Sequence, residues 1–227
     1  MGKLQDKVAL VTGSGRNIGR ATILRLAAEG CNVVVNARSN QAEADAVADE
    51  ARSLGVKALP ILADVASKEQ VDTMINMALS EFGRIDILIN NAAVRPHKPF
   101  TELSLEDWEA VRGVVLDGAY YATRAVIESM VDNNFGRIIF FTGEGAFRGS
   151  ATRAHVSAAK MGLVGLARGL ASEFAGNNIR VNVVSPGSID TSRVILSGML
   201  TALLVLQEFQ WVDRVMQTKL LQLVYFL

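Results

Sequence analysis

The sequence predicts an α/β fold, a single doubly wound parallel sheet with helices on both faces. Three observations predict it. Short apolar, β-branched runs alternate with stretches of helical periodicity from residue 8 to residue 184. Such alternation feeds each strand through a helix, and right-handed crossovers then wind the chain over both faces of a parallel sheet. The first run leads at once into a glycine-rich segment, TGSGRNIG at residues 12–19, which opens a helical pattern. The chain has 227 residues and is 50% hydrophobic, enough for one domain with a sizeable core.

The elements follow in order. Val8-Ala9-Leu10-Val11 is apolar throughout, as a strand buried on both faces should be. A helix is expected near 17–29, with Ile18, Ile23, Leu24 and Leu26 on its inner face. Further strands are expected at 32–37, 58–63, 85–90, 137–142 and 179–184, with helices near 40–54, 68–82, 104–133 and 153–176. No linker, repeat or low-complexity segment intervenes before about residue 190. This is a Rossmann-type arrangement with six strands.

The glycine-rich segment carries the most chemistry. Backbone N–H groups at a helix N-terminus point at an anion, and small residues let a pyrophosphate come close. A glycine-rich turn alone is a weak sign, but a strand before it, a helix after it and a second strand beyond make a dinucleotide cradle. Asn17 stands where a glycine is common. Asparagine is the side chain best able to take a left-handed backbone, so the turn survives it.

Composition narrows the alternatives. Lys and Arg number 23, as do Asp and Glu, so net charge favours neither nucleic acid nor an anionic membrane as partner. The single cysteine, Cys31, excludes an internal disulfide and a cysteine-based zinc site, and no metal is expected. No N-terminal apolar stretch reads as a signal peptide. The apolar run 194–206 is too short to span a bilayer and contains Ser197 and Gly198. A cytoplasmic location is expected.

TGSGRNIG, then Asn90-Asn91-Ala92-Ala93 after the fourth strand, Lys160 on a late helix, and Pro186-Gly187-Ser188-Ile189-Asp190-Thr191 after the sixth strand occur in this order. Together they resemble the short-chain dehydrogenase/reductase family, from residue 3 to about 193. The resemblance implies NAD(H) or NADP(H) bound across the carboxyl ends of the strands. It places Gly13, Ser14, Arg16, Asn17, Ile18 and Gly19 at the pyrophosphate, Asp64 and Val65 at the adenine, and Asn91 and Ala92 at the adenine ribose. Lys160 falls at the nicotinamide ribose, and Pro186, Gly187, Ile189 and Thr191 at the nicotinamide. Asp64 reads almost equally well as a turn acid that starts a helix. The second strand ends Asn36-Ala37-Arg38-Ser39, without the acid that would bind a free ribose 2′-hydroxyl. Arg38 can pair with a 2′-phosphate and Arg16 can add a second cation, so NADP(H) is expected over NAD(H).

The family's chemistry is hydride transfer between cofactor and a carbonyl or alcohol, with a tyrosine as general acid/base. A lysine four residues on lowers the tyrosine pKa, a serine binds the substrate oxygen, and an asparagine completes a proton relay. Here Lys160 is present, but the tyrosine position is Val156, the serine position Gly143 and the asparagine position Val115. Valine has no proton to give and glycine has no side chain. His155 and Ser157 flank Val156 about 100° away around a helix. Thr152 lies one turn earlier on the same face, but its hydroxyl is a poor acid. His155 is the best substitute acid provided the helix starts late or is distorted there, although a surface place at the helix start is its simpler reading.

The chain divides into a dinucleotide-binding domain, 1–191, and an aberrant tail, 192–227. Family members continue with a substrate-covering helix pair and a seventh strand, neither visible here. A shifted reading frame recovers a family-like segment. The last base of the Trp211 codon with the first two of Val212 spells glycine, and the same step from Met216 to Gln217 spells alanine. One allowed reading is GIPMGRSxxADEIAAACVFL. Loss of one base between the codons of about Thr191 and Glu208 is therefore expected. Without a seventh strand the sixth becomes a sheet edge. The resemblance also implies a homodimer through the helices near 104–133 and 153–176. Three functions remain open: a weak or non-standard NADP(H)-dependent oxidoreductase, an NADP(H)-binding pseudoenzyme or regulatory subunit, and a non-functional truncated product.

Overall fold

The computed structural model describes residues 3–187. Among the described residues six strands are present: β1 (Val8–Val11), β2 (Asn32–Ala37), β3 (Ala58–Leu62), β4 (Ile87–Asn90), β5 (Gly136–Phe141) and β6 (Ile179–Val184). They form one parallel sheet in the order β3-β2-β1-β4-β5-β6. This is the doubly wound Rossmann order, and it reverses between β1 and β4. Val8 lies beside Asn32 on one side, and Ala9 beside Ile87 on the other. The carboxyl ends of β1 and β4 therefore open into one crevice, which gathers the glycine-rich turn and Asn91.

The helices are α1 (Asn17–Ala28), α2 (Gln41–Ser53), α3 (Lys68–Phe82), α4 (Leu105–Arg112), α5 (Gly118–Asp132), α6 (Glu144–Arg148) and α7 (Ala154–Phe174). Local chemistry sets their ends. Asn40 and Ser67 cap α2 and α3 by accepting the N–H of Glu43 and Gln70. Ser104 and Asp107 form a reciprocal capping box on α4, and α3 stops at Gly83 with φ +74°. Met74, Ile75, Val126, Met130 and Leu163 pack with Leu10, Val34, Leu88 and Ile138 in one apolar cluster. The alternate strand residues Ala9, Val11, Val33, Val35, Ile87 and Ile89 are also buried, as strands covered on both faces require.

Two departures from the sequence reading bear on the site. The helix expected at 104–133 is α4 and α5 joined by a π-helical turn at Gly113–Asp117. Such turns insert a residue without breaking the helix, which periodicity alone does not reveal. Helix α6 was not foreseen, because five residues are too few to show a period.

Contacts divide the chain into Met1–Pro186 and Gly187–Leu227, and of the second unit only Gly187 is described. Ile189, Thr191, the tail and the shifted-frame segment lie outside the described residues. Among the described residues β6 is an outer strand of the sheet, and no helix is long and apolar enough to cross a membrane.

Candidate active site

The turn after β1 is a glycine-lined cradle held by hydrogen bonds. Gly13 and Asn17 take left-handed backbone, with φ +64° and +52°, so Asn17 does what its sequence position asked of it. Three polar side chains hold the turn. Thr12 Oγ1 accepts the N–H groups of Asn91 and Ala92 at 3.0 and 3.1 Å. Asn91 Nδ2 donates to the carbonyls of Thr12 and Gly13 at 2.9 and 3.0 Å. Asn36, buried at the end of β2, accepts the Gly13 N–H on Oδ1 (3.0 Å) and donates from Nδ2 to Ala63 O (3.1 Å). Ser14 is buried, and its Oγ accepts the Asn36 N–H at 3.0 Å, so it serves as a strut within the turn. Asn36 was missed in the sequence because an asparagine inside a strand carries no local signal.

The cradle fits a pyrophosphate. Arg16, the N-cap of α1, makes no side-chain capping hydrogen bond, so the first-turn N–H groups of Ile18 and Gly19 are left to a ligand. A Cβ on Gly19 would lie 2.3 Å from Gly13 O and 2.7 Å from Asn91 Nδ2, so only glycine lets α1 start this close. Arg16 and Arg38 are exposed at the two neighbouring loop ends. Asp64 opens the turn into α3: its Oδ1 accepts the Ala66 N–H at 3.0 Å and its own N–H donates to Gln70 Oε1 at 2.8 Å. Val65 is buried, and its carbonyl would lie 2.7 Å from a Cβ on Gly118 of α5.

Across the crevice, Lys160 is buried on α7, and its Nζ donates to Phe141 O at the end of β5. Burial, reinforced by the Arg95 charge, pushes its ammonium pKa down to about 8. The unfolded chain therefore holds one more proton between about pH 8 and 10.5, and stability should rise with pH across that window. Lys160→Met removes a penalty of about 3 kcal/mol at neutral pH, less the lost hydrogen bond to Phe141. The variant should be more stable than wild type in urea at pH 7, with the gap closing by pH 10.5. A pH-independent gap would contradict the assignment.

The other three positions are not polar. Val156 and Val115 are buried in the same apolar cluster as Leu163, and Val115 sits on the π turn. Gly143 has φ +143°, and among the described residues a Cβ there would meet nothing within 4 Å. Those residues leave room for a serine side chain at 143, but the backbone disfavours one. Thr142 is turned away from the crevice, its Oγ1 donating to Val184 O at 3.2 Å.

The N-terminal end of α7 differs from its sequence reading in two ways. The helix starts at Ala154, so Thr152 does not share the helical face of Val156. Thr152 has φ +60°, unusual for a β-branched residue, and is held by contacts from the loop after β4. Lys98 N–H donates to Thr152 O at 2.7 Å, and His97 Nδ1 pairs with Thr152 Oγ1 at 2.9 Å. Arg153 can only donate, so His97 Nε2 accepts from it and the ring proton sits on Nδ1. The second difference is His155, which is buried rather than a surface residue. Both its ring nitrogens lack a hydrogen-bond partner among the described residues. Among the described residues no group of three His, Cys, Asp or Glu side chains is placed to hold a metal ion.

The family model for short chain dehydrogenases matches residues 7–196. The chain belongs to that family. It is 41% identical over 191 residues to a 3-oxoacyl-[acyl-carrier-protein] reductase of Synechocystis, covering 84% of this chain and 77% of the other. To the 3-oxoacyl-[acyl-carrier-protein] reductase of Aquifex aeolicus it is 39% identical over 190 residues, covering 83% and 76%. The crystal structure of NAD+-bound xylitol dehydrogenase superposes with a TM-score of 0.79 at 33% identity, over 83% of this chain and 72% of that one. Membership makes this a chain of an oxidoreductase family, built around a nicotinamide-dinucleotide cleft.

Proposed function

We propose that this protein binds NADP(H) and slowly transfers hydride between it and a small carbonyl or alcohol compound. The observation that carries the reading is the cradle: Gly13, Asn17 and Gly19 hold the shape a pyrophosphate needs, on an uncapped helix N-terminus. The bound cofactor supplies the hydride. The chain supplies the rest. First-turn N–H groups of α1 hold the pyrophosphate, Arg38 and Arg16 pair with the 2′-phosphate, and Lys160 holds the nicotinamide ribose. Asp64, Val65, Asn91 and Ala92 border the adenosine, and Pro186, Gly187, Ile189 and Thr191 the nicotinamide. The two relatives named as 3-oxoacyl reductases support carbonyl chemistry.

Proton transfer is the weak step. Val156 has no proton, and the substitute we assign is His155, a buried imidazole whose two nitrogens have no hydrogen-bond partner among the described residues. Helix α7 is already helical there, so the ring points about 100° away from the Val156 side chain and proton transfer through it is slow. A second reading is a nucleotide-binding regulatory subunit. The packing of Val115 and Val156 into the core favours it, because apolar side chains fill where a relay would run. Either protein would work in the cytoplasm, and its dinucleotide-binding domain would end near residue 191. It would pair with a second copy through α5 and α7, whose shared groove is floored by Ile127, Val131, Leu166, Leu170 and Phe174.

Fluorescence titration with NADPH and NADH, followed by NADPH oxidation against a panel of ketones and 3-oxoacyl thioesters, tests the reading. Tight NADPH binding with slow turnover that His155→Gln removes is the expected result. Binding without turnover supports the regulatory reading. Absence of nucleotide binding overturns both.

A further inference from the structure

The second strand ends without an acid, yet the fold brings one to the same corner. A Cβ built on Gly15 would lie 3.3 Å from Glu43 Cβ, 3.3 Å from Glu43 Oε2 and 3.5 Å from Ala37 Cβ. Gly15 belongs to the phosphate turn and Ala37 ends β2. In a doubly wound sheet this corner receives the 2′ position of the adenine ribose. The placement follows from the start of α2. Asn40 caps that helix by accepting the Glu43 N–H at 3.2 Å, which fixes the first turn beside the cradle. Glu43 is half-buried, and its carboxylate makes no hydrogen bond or ion pair among the described residues. Arg16, which follows Gly15, and Arg38, which follows Ala37, are exposed and equally unengaged among those residues.

Two cations and one anion therefore border one corner without neutralising each other. We propose that Glu43 sets the cofactor preference of this chain. Its carboxylate accepts a hydrogen bond from a free ribose 2′-hydroxyl and repels a 2′-phosphate, so it offsets Arg16 and Arg38 and keeps NADH competitive with NADPH. The assignment rests on the dinucleotide reading above. The discriminating acid then arrives from α2 rather than from the end of β2.

The test is nucleotide binding to the full chain, read by fluorescence for wild type, Glu43→Gln and Arg38→Gln. Glu43→Gln keeps the side chain's length and should raise the NADPH-over-NADH preference about tenfold, the order of the repulsion between charges about 4 Å apart in a water-like medium. The gain should come mainly from tighter NADPH binding and should shrink at high salt. Glu43→Ala, whose backbone hydrogen bond to Asn40 is unaffected, should move the preference the same way, while Arg38→Gln should lower it. An unchanged or lowered preference in folded Glu43→Gln, with wild type binding nucleotide, overturns the assignment of Glu43 alone. Wild type that binds neither nucleotide overturns the dinucleotide reading, and the proposal with it.

Discussion

Gly19→Ala should cost this protein its nucleotide. The added methyl would fall 2.3 Å from Gly13 O, 2.7 Å from Asn91 Nδ2 and 2.8 Å from Ser14 Cα. Two of these are backbone atoms of the cradle, and the third is the amide that pins it to β4. None can rotate away. The first turn of α1 must therefore lift off the glycine-rich turn, taking its N–H groups out of line with the phosphates. Each hydrogen bond to a charged group is worth about 1.5–3 kcal/mol, so losing two weakens NADPH binding by about a hundredfold or more. Overpacking should also destabilise the fold by about 1–3 kcal/mol. Titration of the variant beside a urea unfolding curve separates the two effects. Wild-type affinity in Gly19→Ala would mean that the turn does not hold the pyrophosphate.

Val156→Tyr should produce the largest gain. It places a phenol four residues before Lys160 on α7, and Lys160, with its pKa near 8, stands ready to lower the phenol's own pKa. A positioned general acid contributes about 10²–10⁴-fold, so NADPH-dependent reduction of a carbonyl compound should rise by at least about 10²-fold over wild type. The tyrosine must leave the apolar cluster that Val156 now joins, and a stability loss of about 1–3 kcal/mol is expected. Gly143→Ser should add little by itself. The described residues leave its side chain room, but φ +143° forces the peptide to turn before a serine is comfortable, at about 1–3 kcal/mol. Steady-state rates of the two single variants and the double variant decide the matter. A folded Val156→Tyr protein that binds NADPH and gains nothing would show that proton donation is not the missing step.

Much of this molecule was legible in its sequence. The alternation of apolar runs with helical periods gave six parallel strands, and for β2 and β6 the ends match the expectation to the residue. The cradle was legible because its constraint is local: a left-handed turn needs glycine or asparagine, and Gly13 and Asn17 provide it. The four-residue spacing from Val156 to Lys160 was legible because one helical turn fixes it. The π turn at Gly113–Asp117 was not, since its sequence continues a helical pattern on both sides.

Sequence by itself determined the fold class, the family, the glycine-rich turn and the absence of a polar side chain at Val115, Gly143 and Val156. These depend on residue type and short spacing, which the backbone converts directly into geometry. Tertiary structure decided what distance along the chain conceals. It set Glu43 from α2 against Gly15, 28 residues earlier in the numbering. It buried His155 with no hydrogen-bond partner among the described residues, and it tied Thr152 to His97 across 55 residues of chain. The physical reason is common to all three. Burial and charge pairing depend on which elements pack side by side, and that is settled by the sheet order and crossovers rather than by any local run of residues.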